Sequence, residues 1–599
     1  MGYDKYHIDG FLSTTLCKLP AGKREEHAPC GLFIFNSNTR VIKEVAIVAR
    51  MNGTKSKAKS LAPDTKTTRN HEGAVVHELS SLETLFSKVL GSFFGESTFY
   101  EKRDAEKDFV ETVELINSIP YEDREYALKI ALLGREHNMI QFPLAVLTAC
   151  FNDERFKGED FLDSHGRNKL QYYSDRIVRR GRDIVDVMSM QISAYGFDRV
   201  PVIERKKVTG YKRDLPLPMQ LRKALKHKLE TFSDYQISKA LSESREVSMA
   251  DCIKLLRPNE KVAKVPAGFF KSVIEGEVQM GAETKQVQSE LAKSRNKNST
   301  STVKDVKDSI DTSSVMAIVK NLVALHRAGV FNDKSTVQSI VDKLTDKKQI
   351  QKSRLLPFRF YSAWKEVNKL PSSYGVRAIS DALVTALDLS ILNMPKIEGY
   401  NAILIDRSGS MGNPVSSEST VTAEDVALIL GAICFKQSVG EVYVFATQCQ
   451  KVTGLSSRST VIDLVNQLKR ISVGGGTNLD IALDIIRLDA KKTPYDNIFM
   501  LSDGDCYTST GTTFRLNGWG CATSDEAINS MIKQGLIKKF YLNNLLGNNF
   551  AIVNTDDYRK NLITGFSEKI VDVINTYGAI GNGASDIRKV IDHMLASLR

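Results

Sequence analysis

Three stretches of this 599-residue chain place oxygen-bearing side chains just after a short apolar run or a glycine-rich loop. In "AILIDRSGSMG", the run Ala402 to Ile405 delivers Asp406, with Ser408 and Ser410 at alternate positions behind it. In "SVGGGTNLD" the glycines precede Thr477, and in "FMLSDGD" a second apolar run ends at Asp503. Two carboxylates and three hydroxyls make an all-oxygen donor set suited to a hard divalent cation, Mg2+ first, with Mn2+ and Ca2+ also possible. The hydroxyls are neutral, so the ion keeps positive charge and still attracts an acidic ligand at an open position. The alternative is a polar turn whose serines cap backbone groups. The order and setting of Thr477 and Asp503 favour the cation.

The elements that must position these groups are short strands alternating with helices. "NAILID", "EVYVFA", "NIFMLSD" and "KKFYLNNLL" read as strands, with "TAEDVALILGAICFK", "TVIDLVNQLKR" and "NLDIALDIIRL" as helices between them. That alternation predicts a parallel sheet wrapped by helices, with ligands at the carboxyl ends of the strands. Asp406, Thr477 and Asp503 all fall at that edge. In this order they match the metal-ion-dependent adhesion site of von Willebrand factor A domains, and residues 397–599 resemble that α/β fold.

No catalytic centre accompanies the donor set. His71 and His77 of "HEGAVVH" are six apart with Gly73 between them, which does not suit a zinc-binding helix. There is no GxxxxGK[ST] loop, and the serines of "DRSGSMG" have no histidine base beside them in the motif. The sequence therefore predicts a binding protein, not an enzyme. The eight cysteines are scattered without a CxxC pair, which fits reduced thiols. The N-terminus has no apolar signal segment and Tyr6 replaces the Ser or Thr of a myristoylation signal. The apolar run 426–435 is too short to span a bilayer. Together these predict a cytoplasmic protein with no membrane partner.

Charge is spread unevenly. The chain carries 82 basic and 71 acidic residues, net +11, while residues 401–599 are close to neutral, so the first 400 residues hold the surplus. Within 175–230 there are fourteen Lys and Arg against seven Asp and Glu. A surplus confined to one part reads as a footprint for a polyanion, although a solvated basic surface gives the same composition.

Residues 1–75 have no clear pattern: "GLFIFN" and "EVAIVAR" suggest strands, and "NGTKSKAKSLAPDTKTTRN" a polar loop. From 76 to 390 apolar residues recur three and four apart, as in stacked amphipathic helices, with a polar loop insertion at 281–312. Over 218–232, Leu221, Leu225, Leu229 and Phe232 share one face and Arg222, Lys223 and Lys226 another. A single helix is expected over 175–188, with Ile177, Ile184 and Met188 inward and Arg176, Arg179 and Arg180 exposed. These six basic residues, with Lys239 and Arg257, are the candidate contacts for a polyanion, which the resemblance given next implies is RNA.

The helical half carries "NHEGAVVHELSSLETLFSKVLGSFFGESTFY", "PLPMQLRKALKHKL", "DTSSVMAIVKNLVALHRAGVF" and "LLPFRFYSAWKEV", and an A domain follows it. This order over about 70–599 resembles the TROVE-domain proteins of the Ro autoantigen family. The resemblance implies a monomeric ring of HEAT-like helical repeats joined to the A domain. It further implies a ring hole that takes single-stranded 3′ ends of misfolded noncoding RNAs, and a basic outer face for Y-like RNAs. A role in RNA quality control follows, with an exoribonuclease or other protein as a possible partner at the metal. In "KLLRP", Leu255 stands where the family has a histidine important to the outer face, while Arg257 keeps a charge. The competing reading is a protein-interaction adaptor whose A domain holds an acidic partner through Mg2+ without RNA.

Overall fold

The computed structural model describes residues 67–91, 104–277, 310–506, 523–565 and 570–597, apart from stretches of up to five residues within them. The strands expected in "GLFIFN" and "EVAIVAR", and nearly all of the 281–312 insertion, lie outside the described residues.

The described chain opens with a β-hairpin, β1 (Thr67–Arg69) paired antiparallel with β2 (Val75–Glu78), where the end of a polar loop was expected. The turn is encoded by "NHEG". The Asn70 carbonyl accepts the Gly73 N–H at 3.0 Å, the Asn70 side chain accepts the Ala74 N–H at 2.8 Å, and Gly73 adopts φ +83°. Asn at the first position and a left-handed Gly at the fourth are what such a turn requires. The other edge of β2 pairs with Phe550–Ala551, so this hairpin docks on the far end of the chain.

Helices follow to residue 391: α1 (Ser81–Gly91), α2 (Ala105–Ser118), α3 (Glu125–Glu136), α4 (Gln141–Asn152), α5 (Lys169–Ile177) and α6 (Gly181–Tyr195). A second antiparallel hairpin, β3 (Asp198–Glu204) with β4 (Lys207–Asp214), interrupts the helical stretch, contrary to the all-helical expectation. Beyond it lie α7 (Met219–Thr231), α8 (Asp234–Ser238), α9 (Met249–Leu256), α10 (Phe269–Glu275), α11 (Val315–Arg327), α12 (Lys334–Thr345), α13 (Lys347–Ser353), α14 (Pro357–Val367) and α15 (Tyr374–Ile391). Every residue of α4 from Phe142 to Phe151 is buried, and α2, α3, α5 and α6 pack around it. A helix apolar on all sides belongs at the centre of its neighbours.

The single helix expected over 175–188 is two. The chain breaks at 178–180 because Asp183, wholly buried in the first turn of α6, accepts the Arg179 and Arg180 backbone N–H groups at 2.9 and 3.2 Å. A carboxylate there satisfies free backbone donors at a helix start. Gly181 is also required: a Cβ there would lie 2.7 Å from the Gln236 carbonyl oxygen of α8.

The last part is the α/β domain. In chain order it comprises β5 (Tyr400–Asp406), α16 (Ala423–Gln437), β6 (Val439–Phe445), β7 (Cys449–Val452), α17 (Val461–Lys469), α18 (Leu479–Ala490) and β8 (Tyr495–Ser502). It continues with α19 (Ser524–Lys533), β9 (Ile537–Asn544), β10 (Phe550–Ala551), β11 (Lys560–Thr564), α20 (Ile570–Ile580) and α21 (Ile587–Ser597). The sheet runs β11-β9-β8-β5-β6-β7, parallel except at the β7 edge. Ala402 to Ile405 of β5 are completely buried, as a central strand covered on both faces demands. The fold is thus mainly helical with a mainly parallel six-stranded sheet, as expected.

Both ends of the helical stretch meet this domain. At its start, Lys129 of α3 pairs with Asp592 of α21 at 2.6 Å, and Ser87 donates to the Asn548 carbonyl at 3.1 Å. At its end, Asp425, in the capping box that opens α16, binds Lys365 at 2.6 Å and accepts from the Tyr361 hydroxyl at 3.0 Å, both on α14. Lys469 pairs with it at 2.6 Å. Burial works to raise the Asp425 pKa, but the two lysines and the Thr422 N–H outweigh it and hold the carboxylate at about 2. Its folded pKa is depressed, so its contribution is present above the ordinary carboxylate value of 3.8 and is lost as pH falls toward 2. Asp425→Asn is expected to destabilise the chain by about 3 kcal/mol, the low end for one partner of a buried pair, because Lys469 is still partly solvated. The variant's stability should also fall less steeply between pH 4 and 2. Thermal unfolding across that range checks both points.

Candidate metal centre and basic faces

The five candidate ligands all lie at the carboxyl edge of the sheet, and all are buried. Asp406 ends β5 and Asp503 follows β8, and both are 0 % exposed; Thr477, Ser408 and Ser410 are 3–4 % exposed. Asp406 Oδ1 accepts the Ser408 N–H at 2.8 Å, and Oδ2 accepts the Ser502 hydroxyl at 2.5 Å. The Ser408 and Ser410 hydroxyls are 3.1 Å apart. Gly409 N–H donates to the Gly475 carbonyl at 2.8 Å, which brings the glycine loop carrying Thr477 against the first loop. Asn478 then caps α18, with its side chain accepting the Ile481 N–H at 3.4 Å.

Burial raises the pKa of both Asp406 and Asp503, and the negative charge of Asp503 pushes Asp406 further. Asp503 Oδ1 accepts the Asp505 N–H at 3.0 Å; its buried Oδ2 makes no direct hydrogen bond among the described residues, and the Ser410 hydroxyl beside the carboxylate offsets part of the effect of burial. A buried carboxylate oxygen left unpaired carries a desolvation cost that a hard cation would remove. Among the described residues no group of three or more His, Cys, Asp and Glu side chains converges as a metal site. That is consistent with a donor set in which three of five groups are hydroxyls. The fit to a hard divalent cation is therefore chemical: oxygen donors only, two of them buried carboxylates.

Two neighbours were not identified from the sequence. Ser502 bonds Asp406 and also accepts the Gly504 N–H at 3.0 Å, so it orients the first carboxylate. Asp505, the second acid of "SDGD", is wholly buried, and burial followed by the Asp503 charge pushes its pKa up to about 7. The alternating Asp-x-Asp was the available signal.

The basic candidates divide into two groups. On α7, Leu221, Leu225 and Leu229 are completely buried, while Lys223 is exposed and Arg222 and Lys226 are half-buried. Full burial contributes about 1.5–3 kcal/mol per leucine, which fixes the orientation of the basic face. Lys226 has one weak i,i+4 partner, Glu230 at 3.9 Å. Lys239 is exposed over the Tyr235 ring at 4.0 Å, and Arg257 is the exposed left-handed cap of α9 at φ 51°. Leu255 is half-buried on the same helix.

In the second group Arg180 is exposed and Arg176 and Arg179 half-buried, and Arg179 and Arg180 are ion-paired. Arg180 pairs with the buried Asp183 at 2.6 Å, and Arg135 reaches the other oxygen of that carboxylate at 2.6 Å. Arg179 pairs with Glu136 and donates to the Arg176 carbonyl at 2.8 Å. Arg176 lies over Tyr172 with its guanidinium 5.4 Å from the ring. Arg179 and Arg180 are thus committed to holding the α5–α6 break.

A TROVE-domain model matches residues 294–384, and a von Willebrand factor type A domain model matches 402–505. Over 207 residues the chain is 22 % identical to a Deinococcus radiodurans protein described as RNA-binding protein RO60, a match covering 33 % of this chain. That match spans 38 % of the relative's length. The crystal structure of the Deinococcus radiodurans RO (RSR) protein superposes with a TM-score of 0.54 at 16 % identity, covering 86 % of this chain and 99 % of that one. No helix among the described residues is long and apolar enough to cross a membrane. The chain thus carries a match to the TROVE domain followed by a match to the von Willebrand factor type A domain, and it is similar in sequence and in fold to the Ro protein of Deinococcus radiodurans.

Proposed function

We propose that this chain is the RNA-binding scaffold of a Ro-type ribonucleoprotein, acting in RNA quality control in the cytoplasm. Its ligands in this reading are small noncoding, Y-like RNAs and the single-stranded 3′ ends of misfolded RNAs. The observation that carries it is the basic face of α7, fixed outward by a fully buried leucine face in a chain homologous to an RNA-binding protein. Arg222, Lys223 and Lys226 are the primary phosphate contacts, with Lys239, Arg257 and Arg176 around them. Arg179 and Arg180 act through the fold and supply little free charge. The α/β domain holds a divalent cation, Mg2+ by preference, on Asp406, Ser408, Ser410, Thr477 and Asp503. When bound, the ion supplies a positive centre for an acidic group of a protein partner such as an exoribonuclease. The chain itself carries out no catalysis.

The same cation site is compatible with a second reading, an adaptor that binds protein through the metal and no RNA. Purification of the full chain distinguishes the two. The RNA reading expects copurified nucleic acid, with absorbance shifted toward 260 nm and restored by ribonuclease. Preparations free of RNA that also fail to bind added single-stranded RNA support the adaptor.

A further inference from the structure

Among the described residues three tyrosine rings are exposed: Tyr121 at 48 %, Tyr172 at 38 % and Tyr374 at 55 %. They are not equivalent. The Arg124 guanidinium lies 3.8 Å over the Tyr121 ring, and the Tyr121 hydroxyl donates to Asp160, so that ring is covered and carries an acid at its tip. Tyr374 opens α15, in a different part of the helical stretch. Tyr172 lies on α5, just before the basic segment 175–230.

The Tyr172 ring is held in place although it is exposed. The buried Tyr173 meets it edge-on, with centroids 5.2 Å apart at 83°, and Tyr173 is itself anchored by donating to Glu125 at 2.8 Å. One turn on, the Arg176 guanidinium donates to the Tyr172 hydroxyl and lies 5.4 Å from the ring centroid. It grips the hydroxyl end, whereas Arg124 sits at stacking distance from Tyr121. A ring fixed in this way has little rotamer freedom left to lose when a ligand packs on it. Positive charge adjoins it. Arg176 has no carboxylate partner among the described residues, and the neighbouring acid, Asp175, is engaged by Gln171 at 3.1 Å. The Lys228 ammonium donates to the Asp175 carbonyl at 2.9 Å, so α7 lies against the same turn of α5 that carries Tyr172 and Arg176. Lys223 of α7 is exposed. A fixed aromatic ring beside free cations suits a ligand with both π-faces and phosphates. Unpaired nucleotides have both, whereas a duplex keeps its base faces stacked inside.

We propose that Tyr172 is a stacking platform for an unpaired base of RNA, with Arg176 beside it for the adjoining phosphate. This inference rests on the RNA reading above and deepens it: the surface shared by α5 and α7 takes single-stranded nucleotides. It does so with little regard to sequence, since every base has a π-face.

The test titrates the full chain by gel shift with three labelled probes: a single-stranded RNA, an abasic oligomer of the same length and a blunt duplex RNA. Tyr172→Ala is expected to weaken single-strand binding roughly five- to hundredfold, with an unchanged salt slope because no phosphate contact is removed. Tyr172→Phe keeps the ring and should stay within about threefold of wild type. Both variants should bind the abasic oligomer and the duplex as wild type does. Tyr172 is exposed and alanine is the better helix former, so thermal unfolding of Tyr172→Ala should match wild type. Three results overturn the stacking site while leaving RNA binding by the chain standing: equal single-strand affinity in wild type and Tyr172→Ala, an equal loss on the abasic oligomer, or a Tyr172→Phe chain as weak as Tyr172→Ala. If wild type binds none of the probes, the RNA reading itself fails and the stacking site falls with it.

Discussion

Asp406→Ala is expected to lower Mg2+ affinity by more than about 100-fold, with the helical part still folded. Asp406 is the carboxylate of the first loop, and without it that loop presents only neutral hydroxyls, too weak to dehydrate Mg2+. The buried pair also makes a prediction about the metal-free chain. Burial and the Asp503 charge disfavour ionised Asp406, so removing the charge relieves a penalty. Asp406→Asn removes that charge; its single amide oxygen still accepts the Ser408 N–H, and its NH2 can donate to the Ser502 hydroxyl, which accepts in place of donating. In EDTA, Asp406→Asn should therefore unfold at or above the wild-type temperature, while in excess Mg2+ wild type should be the more stable, since a ligand that binds only the folded state stabilises it. Calorimetric titration and thermal unfolding measure the two effects separately. Equal Mg2+ affinity in wild type and Asp406→Ala would remove the site.

Replacing Arg222, Lys223 and Lys226 together by glutamine is expected to weaken binding of structured RNA by about tenfold or more at moderate salt. Glutamine is nearly as good a helix former as lysine or arginine, and none of the three residues belongs to the buried leucine face. The cost to the fold is confined to the weak Lys226–Glu230 pair, which is worth a few tenths of a kcal/mol. Each lost phosphate contact should flatten the salt dependence by about 0.7 on logarithmic axes for single-stranded RNA, so three contacts give about two units. A merely solvated face predicts a small nonspecific loss and an unchanged slope. Gel-shift titrations with a structured RNA and a single-stranded 3′ tail, run over a range of salt, separate these outcomes.

Much of this was legible in the sequence where the pattern is local. "NAILID" and "EVYVFA" read as strands because buried parallel strands are continuous apolar runs, and the donors emerged at their ends because the spacing allows nothing else. The leucine face of α7 followed from residues spaced four apart. The break at 178–180 did not show, because Ile177, Ile184 and Met188 keep an apolar spacing that one straight helix also satisfies. The physical signal was Gly181 two residues before Asp183, a helix start read as helix interior. The 67–78 hairpin was missed for a different reason. Its "NHEG" turn is a local signal, but its partner is the two-residue strand Phe550–Ala551, too short to announce itself. The contact of His71 with Asp505 was hidden by the same gap, since only the docked hairpin brings them together.

RNA binding by the full wild-type chain, measured with a labelled single-stranded RNA between 50 and 300 mM salt and with or without EDTA, is the decisive measurement. The surplus of positive charge in the first 400 residues predicts affinity that falls steeply with salt, with a slope of about −0.7 per phosphate neutralised, and that EDTA leaves unchanged. Binding that ignores salt, or that disappears when EDTA removes the divalent cation, would contradict RNA recognition by the helical part.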